Sequence, residues 1–489
     1  MTRKFAILYS IIAMLVTVVA CNEEYNTDVE ETASSAAVRS FGFEADDSVL
    51  AHLDSVFFSV DLVRGRIFNA DSLPVGTDIT ALVPVITTLD GCSVAELTVK
   101  RSNSTDTVYD YITTPSARID FTNPVRLRLV SPDGLVERHY TITVNVHNMD
   151  PDSLYWNRKD RRNLPSKFNY PTSQHTSCYE DQIACLTEYQ GAYSLATLSN
   201  SLSTITGTSP DLGEWIIDYV SFPMAVDINT FTVGDGSLYI LGVDGSLLES
   251  VDGGSTWVAT GRSLTHIYGV YQGKTLGSAR QGGNWEIQEY PGASTYAMPD
   301  GMPVSGTSAP VFYSFPMSTL PQMMVVGGRT ADGSLSAHTW GFDGKAWARV
   351  SKRGVPVAVE NAAVAPYTSI KVAADWNTTD YPTMVLIGGR LSDGSLNDTV
   401  YVSNDFGANW IKADTKMQLP EYLPAMQRSQ AFVITSTLSA TEARSRISQV
   451  SDEWACPYIY LFGGVNAAGN TSNNVWRGVI NRLSFKPIE

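Results

Sequence analysis

The chain has 489 residues with 50 acidic and 34 basic side chains, which gives a formal net charge of −16. An acidic surface of this size repels phosphate backbones, so nucleic acid is excluded as a partner. Aromatic residues make up 10% of the chain, and 37 Gly and 23 Pro supply many turns, a composition typical of β-rich proteins.

The first 20 residues have the pattern of a secretory signal peptide. Arg3 and Lys4 precede an apolar run, residues 5–19, that is shorter than the about 20 residues a transmembrane helix needs. The run ends at residues 18–21 in Val-Val-Ala-Cys, which resembles the lipobox of bacterial lipoproteins. This resemblance implies cleavage before Cys21 and acylation of its thiol, which would hold the protein on a lipid bilayer. The alternative is an ordinary signal peptide followed by an unrelated Cys.

Residues 21–40 are predicted to form a lipidated acidic tether. An Asn-Glu-Glu sequence at residues 22–24 resembles the acidic export signal of Bacteroidota lipoproteins. The resemblance implies a location on the outer face of the outer membrane, with the periplasmic face as the alternative. The segment has few large apolar groups, so it cannot bury enough surface to offset the entropy lost on ordering. We therefore expect a flexible stalk.

Residues 41–150 are predicted to form a small β-sandwich. Apolar side chains alternate along residues 56–62 and 125–129, the period of half-buried strands. A Pro-Asp-Gly turn at residues 132–134 and a further alternation at 140–146 predict a β-hairpin. These short strands resemble the immunoglobulin-like modules of Bacteroidota surface lipoproteins. The resemblance implies a spacer that lifts the rest of the chain off the membrane.

Residues 151–489 are predicted to form a β-propeller, because they contain internal repeats. Residues 323–335 and 384–396 share an apolar strand, a Gly pair and a polar turn, and a third copy begins at residues 460–465. This pattern resembles the kelch motif of propeller blades. The resemblance implies that the Gly pairs let neighbouring backbones approach and that Trp side chains pack between blades.

Two further turns match the pattern S-x-D-x-G-x-[TN]-W, which resembles the Asp-box of sialidase-type propellers. In such a turn the Asp side chain accepts backbone N–H groups and Gly adopts a positive φ. The resemblance implies a structural hairpin clamp and no catalytic role. The matching residues are Ser250, Asp252, Gly254 and Trp257 in the first turn and Ser403, Asp405, Gly407 and Trp410 in the second.

The repeat spacing predicts six blades, with seven as the alternative. The combination of lipoprotein signal, sandwich and propeller resembles an uncharacterised Bacteroidota surface lipoprotein family, which implies the architecture and no activity. The predicted blade units are residues 155–222, 223–262, 263–300, 307–356, 357–420 and 424–489.

Cysteine and histidine positions predict no metal site and no cofactor. Cys178 and Cys185 lie seven residues apart, and they either form a disulfide in an oxidising envelope or remain as two buried thiols. No pair of cysteines has zinc-type spacing, and the six His are scattered without an H-E-x-x-H motif.

The sequence predicts a binding or scaffold protein for a glycan or protein ligand, with a carbohydrate-active enzyme as the alternative. The Phe/Tyr-Arg-Ile-Pro motif of sialidases is absent, and nothing places two carboxylates for glycoside hydrolysis. Arg329 and Arg390 occupy equivalent repeat positions, which favours a packing role. The candidate ligand contacts in the funnel of the propeller are Tyr268, Tyr271, Trp285, Arg280 and Arg428.

Overall fold

The computed structural model describes residues 35–101, 105–147, 150, 152–314, 320–372, 378–439 and 453–481. The chain divides into two compact units, residues 1–150 and residues 151–489. Both units consist of strands and the described residues contain no α-helix, which confirms the all-β prediction. No helix in the described part is long and apolar enough to cross a membrane. The predicted signal peptide, Cys21 and most of the predicted tether lie outside the described residues.

The N-terminal unit consists of two β-sheets around one apolar core. Its strands are β1 (Val38–Phe43), β2 (Ser59–Asp61), β3 (Arg66–Phe68), β4 (Pro84–Thr88), β5 (Val94–Val99), β6 (Thr107–Asp110), β7 (Val125–Val130) and β8 (Glu137–Thr143). β1 pairs with β4, and the other six form a sheet in the order β2-β3-β8-β7-β5-β6. A single-turn 3-10 helix, Leu53–Ser55, precedes β2. The immunoglobulin-like assignment stays a prediction, since β3 and β8 run parallel within the larger sheet.

The core of this unit includes the end of the predicted tether. Ala36, Ala37 and Val38 are at most 5% exposed, and β1 begins at Val38. The prediction that the tether extends to residue 40 is therefore wrong, because these small side chains bury their surface together with the first strand. Ala36 and Val38 join a core cluster that contains the edge-to-face rings of Phe41, Phe43, Phe58 and Phe121.

The predicted hairpin is confirmed, because β7 and β8 pair antiparallel along their length. The strand predicted at residues 56–62 is shorter than expected and covers only the three residues of β2. The Asp61 side chain accepts the backbone N–H groups of Val63 and Arg64 at 3.0 and 2.9 Å, which turns the chain and leaves Leu62 44% exposed. The turn that Asp61 stabilises therefore ends β2 before Leu62, although the apolar alternation predicted that the strand continues to residue 62.

The second unit begins with β9 (Ser153–Trp156) and β10 (Arg162–Asn163). Six further groups of strands follow, each running outward from an inner strand. They are β11 (Ser173–Tyr179), β12 (Gln182–Tyr189), β13 (Ala192–Leu198) and β14 (Trp215–Val220) in blade 1; β15 (Val226–Val233), β16 (Leu238–Gly242), β17 (Ser246–Ser250) and β18 (Val258–Ser263) in blade 2; and β19 (His266–Tyr271), β20 (Lys274–Gln281), β21 (Asn284–Tyr290) and β22 (Thr295–Ala297) in blade 3.

The remaining strands form three more blades. They are β23 (Val311–Tyr313), β24 (Gln322–Val326), β25 (Thr339–Phe342) and β26 (Trp347–Arg349) in blade 4; β27 (Ala363–Val372), β28 (Thr378–Ile387), β29 (Tyr401–Ser403) and β30 (Ile411–Lys412) in blade 5; and β31 (Gln430–Ser439), β32 (Glu453–Phe462) and β33 (Asn474–Asn481) in blade 6. Single 3-10 turns lie at Arg158–Asp160, Leu202–Thr204 and Thr415–Met417. The described residues therefore form six blades, as predicted.

The ring closes by pairing strands from the two ends of the unit. Both β9 and β10 pair with β33 on the outer edge of blade 6, and β11 contacts β31 at the inner edge. Arg477 on β33 donates to the Asp160 carboxylate and to the carbonyl oxygens of Thr208 and Ser209, the latter two at 2.9 Å. The start of the first predicted blade unit therefore belongs to the last blade.

Gly pairs follow the second strands of blades 4, 5 and 6 and permit a close approach between blades. All six glycines have φ between +54° and +107°. A Cβ on Gly327 would overlap the carbonyl oxygen of Val359, and one on Gly388 would overlap that of Met426. The second glycine of each of these pairs donates its N–H to the same carbonyl at 2.8 Å. The Gly pairs of blades 4 and 5 thus pack directly against the loop that leads into the next blade, whereas a Cβ on Gly463 of blade 6 would overlap the Gln174 side chain on β11.

Asp252 holds the outer turn of blade 2. Its carboxylate accepts a hydrogen bond from Ser250 Oγ at 2.8 Å and from the backbone nitrogen and hydroxyl of Thr256 at 2.9 and 2.6 Å. These bonds, above all the one from the Thr256 hydroxyl, lower the pKa of Asp252 to about 2. A Cβ on Gly254 would overlap a side chain of blade 1, and Trp257 is 7% exposed. The turn is therefore a packing contact with the preceding blade.

Asp405 makes the equivalent contacts in blade 5. It accepts from Ser403 Oγ at 2.8 Å and from the backbone nitrogen and side-chain amide of Asn409 at 2.8 and 2.6 Å. A Cβ on Gly407 would press against a threonine of blade 4, whose hydroxyl accepts the indole N–H of Trp410 at 2.9 Å. Asn409 therefore replaces the usual Thr of this turn without loss of either hydrogen bond.

Cys178 and Cys185 lie on adjacent strands, and both thiols are free. Cys178 is opposite Ile183 and Cys185 is opposite Thr176, so the two cysteines are diagonal neighbours in the β11–β12 pair. Diagonal positions are about 7–8 Å apart, beyond the reach of an unstrained disulfide. The disulfide prediction is therefore wrong and the buried-thiol alternative holds. Burial raises the pKa of both thiols to about 12.

Candidate functional site

Each of the six blades places a polar residue either within the first three residues of its inner strand or in the loop directly before it. Because every blade runs outward from its inner strand, the inner strands all begin at the same end of the ring. Side chains that are distant in sequence therefore meet around the axis. We call this set the axial mouth, and it consists of His175, Asp227, His266, Thr307, Asn361 and Arg428.

His175 is held in place by blade 6. Its Nδ1 lies 3.2 Å from Nε2 of Gln430, whose Oε1 accepts from Gln174 Nε2 and from the backbone nitrogen of Thr176 at 3.1 Å each. Since the amide oxygen of Gln430 is already an acceptor, its nitrogen donates to Nδ1 of His175. The proton of the neutral imidazole is then on Nε2. Within the described part of the chain this Nε2–H has no hydrogen-bond partner, so it is a donor available to a ligand.

His266 connects blades 3 and 4, because its Nε2 lies 2.9 Å from the hydroxyl oxygen of Thr307. Burial lowers the pKa of His175 and of His266 to about 4, while the negative charge of Asp227 acts in the opposite direction on both. Both imidazoles are therefore neutral at pH 7. Asp227 is exposed, and its Oδ1 accepts the backbone N–H and side-chain amide of Asn229.

Blades 4, 5 and 6 are joined at the axial mouth by backbone hydrogen bonds. Arg428 donates its N–H to the carbonyl of Asn361 at 2.8 Å, and Asn361 donates to the carbonyl of Gly306 at 2.7 Å. These three equivalent residues have φ of +58°, +54° and +65°. The carbonyl of Arg428 accepts from the side chains of Gln174 and Gln430, which continues the connection to blade 1. The backbone thus makes the contacts, and the three side chains are not needed for them.

The arginines near the axial mouth differ in their partners. Arg329 forms two hydrogen bonds with the Glu360 carboxylate, at 3.0 and 2.6 Å, and these bonds raise its pKa. Arg390 and Arg428 are exposed, and neither guanidinium has an acidic or hydrogen-bonding partner among the described residues. The packing role expected from the repeat is therefore visible for Arg329 and not for Arg390.

Two of the five predicted ligand contacts are buried. Tyr268 and Tyr271 are 1% and 5% exposed, and their hydroxyls donate to the carbonyl oxygens of Pro303 and Pro321 at 2.6 and 2.9 Å. Both rings belong to the core cluster between blades 3 and 4. The prediction that they contact a ligand is wrong, because an aromatic residue on a blade face is covered by the next blade.

Arg280 and Trp285 are direct cross-strand neighbours in blade 3. They flank the turn between β20 and β21, at the same end of the propeller as the axial mouth but away from the inner strands. Arg280 is exposed and Trp285 is half-buried. Of the five predicted residues, only Arg428 belongs to the axial mouth.

The chemistry of the axial mouth suits binding. In the described residues, Asp227 is the one carboxylate of the mouth, whereas glycoside hydrolysis ordinarily uses two. The described part holds no group of three His, Cys, Asp or Glu side chains arranged to bind a metal ion. A neutral imidazole, a hydroxyl, an amide and a guanidinium together offer hydrogen bonds to the hydroxyl, carbonyl or anionic groups of a ligand.

The sequence pattern did not predict the other five residues of the axial mouth. Three of them, His175, Asp227 and His266, lie within the first three residues of an inner strand, and this position was the available signal. Using it requires knowing which strand of each blade is innermost. Blades 1 and 2 lack a Gly pair after their second strand, and the pair that follows the second strand of blade 3, Gly282 and Gly283, has no atom within 4 Å of either Cβ position.

Comparison with solved structures identifies several at low sequence identity. YjhT has a TM-score of 0.38 and 11% identity, with 64% of this chain and 95% of that chain covered. AofleA from Arthrobotrys oligospora has a TM-score of 0.36 and 10% identity, with 68% and 91% covered. The NkGH74 enzyme from Niastella koreensis has a TM-score of 0.32 and 15% identity, with 74% and 48% covered. These TM-scores carry no argument about ligand or activity.

Comparison with protein families covers both units. No curated protein matches the sequence. The DUF6242 N-terminal domain, a domain of unknown function, matches residues 26–144, and the DUF6242 beta propeller domain matches residues 150–488. The second match alone spans more than half of the chain. The chain therefore belongs to the DUF6242 family.

Proposed function

We propose that this protein is a binding module of the bacterial cell surface and that its ligand, a glycan, binds at the axial mouth of the propeller. The observation that supports this proposal is the convergence of one polar residue from each blade on a single end of the axis. Within the described chain, the Arg428 guanidinium and the His175 Nε2–H have no protein partner. A few convergent polar groups at the centre of a rigid scaffold are typical of ligand sites.

Binding is favoured over catalysis by the carboxylates of the mouth. Glu360, the nearest acidic residue in the loop beside Asn361, is engaged by Arg329. Asp227 is then the one mouth carboxylate outside an ion pair among the described residues. An enzyme acting on glycosides would need a second carboxylate at about 5–9 Å from it.

A glycan array with the full-length chain in detergent tests this proposal. We expect binding to one glycan class and an at least tenfold weaker signal for Thr307→Val and His175→Ala. Arg353→Gln is the matched control, because Arg353 is exposed and lies outside the axial mouth. A blank array would overturn the glycan proposal in favour of a protein ligand. Glycoside turnover that Asp227→Asn abolishes would replace binding by catalysis.

We also propose that acylated Cys21 anchors the protein in the outer membrane, facing the cell exterior. The support comes from the signal-like segment, the lipobox-like residues before Cys21 and the acidic residues after it. Labelling with a radioactive fatty acid should mark the wild-type chain and not Cys21→Ala. Protease added to intact cells should remove the propeller. Labelled protein that survives this treatment would place it on the periplasmic face instead.

A further inference from the structure

The contact between blades 4 and 5 includes an arginine whose charge is paired. Arg329, beside the Gly pair of blade 4, forms two hydrogen bonds with Glu360 from the loop that leads into blade 5. Its remaining Nη donates to the carbonyl of Gly333 in its own turn at 2.8 Å. The Glu360 side chain is only 10% exposed. A bidentate pair of this kind compensates the charge of both partners, although the Arg329 side chain stays 43% exposed.

The contact between blades 5 and 6 has an arginine equivalent to Arg329 but no carboxylate equivalent to that of Glu360. Arg329 forms an isolated antiparallel β-bridge with Ser305, and Arg390 forms the equivalent β-bridge with Glu360. In blade 6 the equivalent β-bridge joins Gln427 to Val465. Gln427 therefore occupies the position of Glu360. A Cβ on Gly394 would lie 3.4 Å from an Nη atom of Arg390, so this guanidinium also lies over its own turn. The neutral side chain at position 427 leaves the charge of Arg390 uncompensated.

Arg428, directly after Gln427, is a second uncompensated charge. Its φ of +58° is in the left-handed region, where bulky side chains are uncommon and Gly and Asn are favoured. The two equivalent positions are occupied by those types, Gly306 and Asn361. The backbone bonds of this position do not need an arginine, because Asn361 donates such a bond and Gly306 accepts one. A strained residue that the fold does not require points to function.

We propose that Arg390 and Arg428 form an anion subsite of the axial mouth, which binds the carboxylate of an acidic sugar in the glycan ligand. This inference rests on the proposed function and names its ligand class. A guanidinium presents paired N–H donors that match the two oxygens of a carboxylate. The protein carries a net charge of −16, so two unpaired arginines, whose backbones bond to the neighbouring residues Glu360 and Asn361, are a local exception that attracts anions.

Calorimetric titration of the full-length chain in detergent with sodium glucuronate, glucose and sodium sulfate tests the proposal. Glucuronate should bind at least tenfold more tightly than glucose or sulfate. Arg390→Gln and Arg428→Asn should each weaken glucuronate binding about tenfold, whereas Arg353→Gln should not change it. Gln427→Glu should also weaken it about tenfold, because the new carboxylate pairs with Arg390 as Glu360 pairs with Arg329.

Three outcomes would overturn the proposal. Equal affinity for glucose and glucuronate, with binding still lost in Thr307→Val, would leave the glycan function standing and remove the anion subsite. Sulfate binding as tight as glucuronate binding would show a general anion site with no preference for a sugar. The absence of binding to every sugar, together with a blank glycan array, would remove both proposals.

Discussion

The two halves of the propeller hold the axial mouth together in different ways. In blades 4 to 6, main-chain bonds link Gly306, Asn361 and Arg428, and the Gly pairs bring the blades close enough for this. In blades 1 and 3, side chains make the links: His266 contacts Thr307, and His175 contacts a glutamine of blade 6. The side chains of the mouth residues in blades 4 to 6 are therefore free to vary in type. The histidine side chains of blades 1 and 3 instead stabilise the ring themselves.

The largest expected effect comes from the Gly pairs. Gly388→Ala should lower the free energy of unfolding by about 3 kcal/mol or more, since its Cβ would overlap a backbone carbonyl that cannot move without the next blade. Gly469→Ala is the matched control, because its φ of +81° is similar and no atom lies within 4 Å of its Cβ. It should cost only about 1–2 kcal/mol. Equal costs in urea denaturation would contradict a steric role for the pair.

The two histidines of blades 1 and 3 should make the free energy of unfolding depend on pH. His175 and His266 have folded pKa values of about 4, below the unfolded value of about 6.5. The unfolded chain therefore takes up protons first as pH falls, so their contribution is present above pH 6.5 and is lost as pH falls toward 4.

Between pH 7 and pH 5 we expect a loss of about 1–2 kcal/mol for each imidazole, measured by urea denaturation. The positive charge of Arg428 strengthens the shift of His175 and the negative charge of Asp227 weakens it. A His175→Gln, His266→Gln double variant should be less sensitive to pH. An unchanged slope in the double variant would show that other groups control this range.

Removing a mouth side chain should affect the free energy of unfolding differently in blades 1 to 3 and in blades 4 to 6. His266→Ala should lower the free energy of unfolding by about 1–2 kcal/mol, because it leaves the Thr307 hydroxyl without its partner. Asn361→Gly removes a mouth side chain from the other half, where the backbone makes the contact, and should change stability by less than about 0.5 kcal/mol. The comparison fails if thermal denaturation gives the same change for both variants.

The smallest expected change is an increase in the free energy of unfolding. Arg428→Asn should stabilise the protein by about 0.5–1 kcal/mol, since Asn tolerates the left-handed conformation better than Arg. The same variant should lose acidic-sugar binding, so stability and binding should change in opposite directions. A destabilised Arg428→Asn variant would mean that the arginine has a structural role not visible in its contacts.

Local patterns in the sequence were sufficient for much of the fold. Strand alternation, the hairpin of β7 and β8, the Gly pairs and the two Asp turns depend on residues close to one another, because backbone sterics and turn hydrogen bonds act over a few positions. Charge composition and the blade number of the second unit also follow from the sequence, since the repeats are counted along the chain.

Only the tertiary structure decided the site. Whether Tyr268 faces solvent or a neighbouring blade depends on how two sheets pack, and the same aromatic pattern is compatible with both. The pairing of β9 and β10 with β33, the free thiols of Cys178 and Cys185 and the ring from His175 to Arg428 join residues that closure of the propeller brings together. Contacts between residues far apart in sequence leave no periodic signal, so the ligand end of the propeller becomes visible only once the ring has closed.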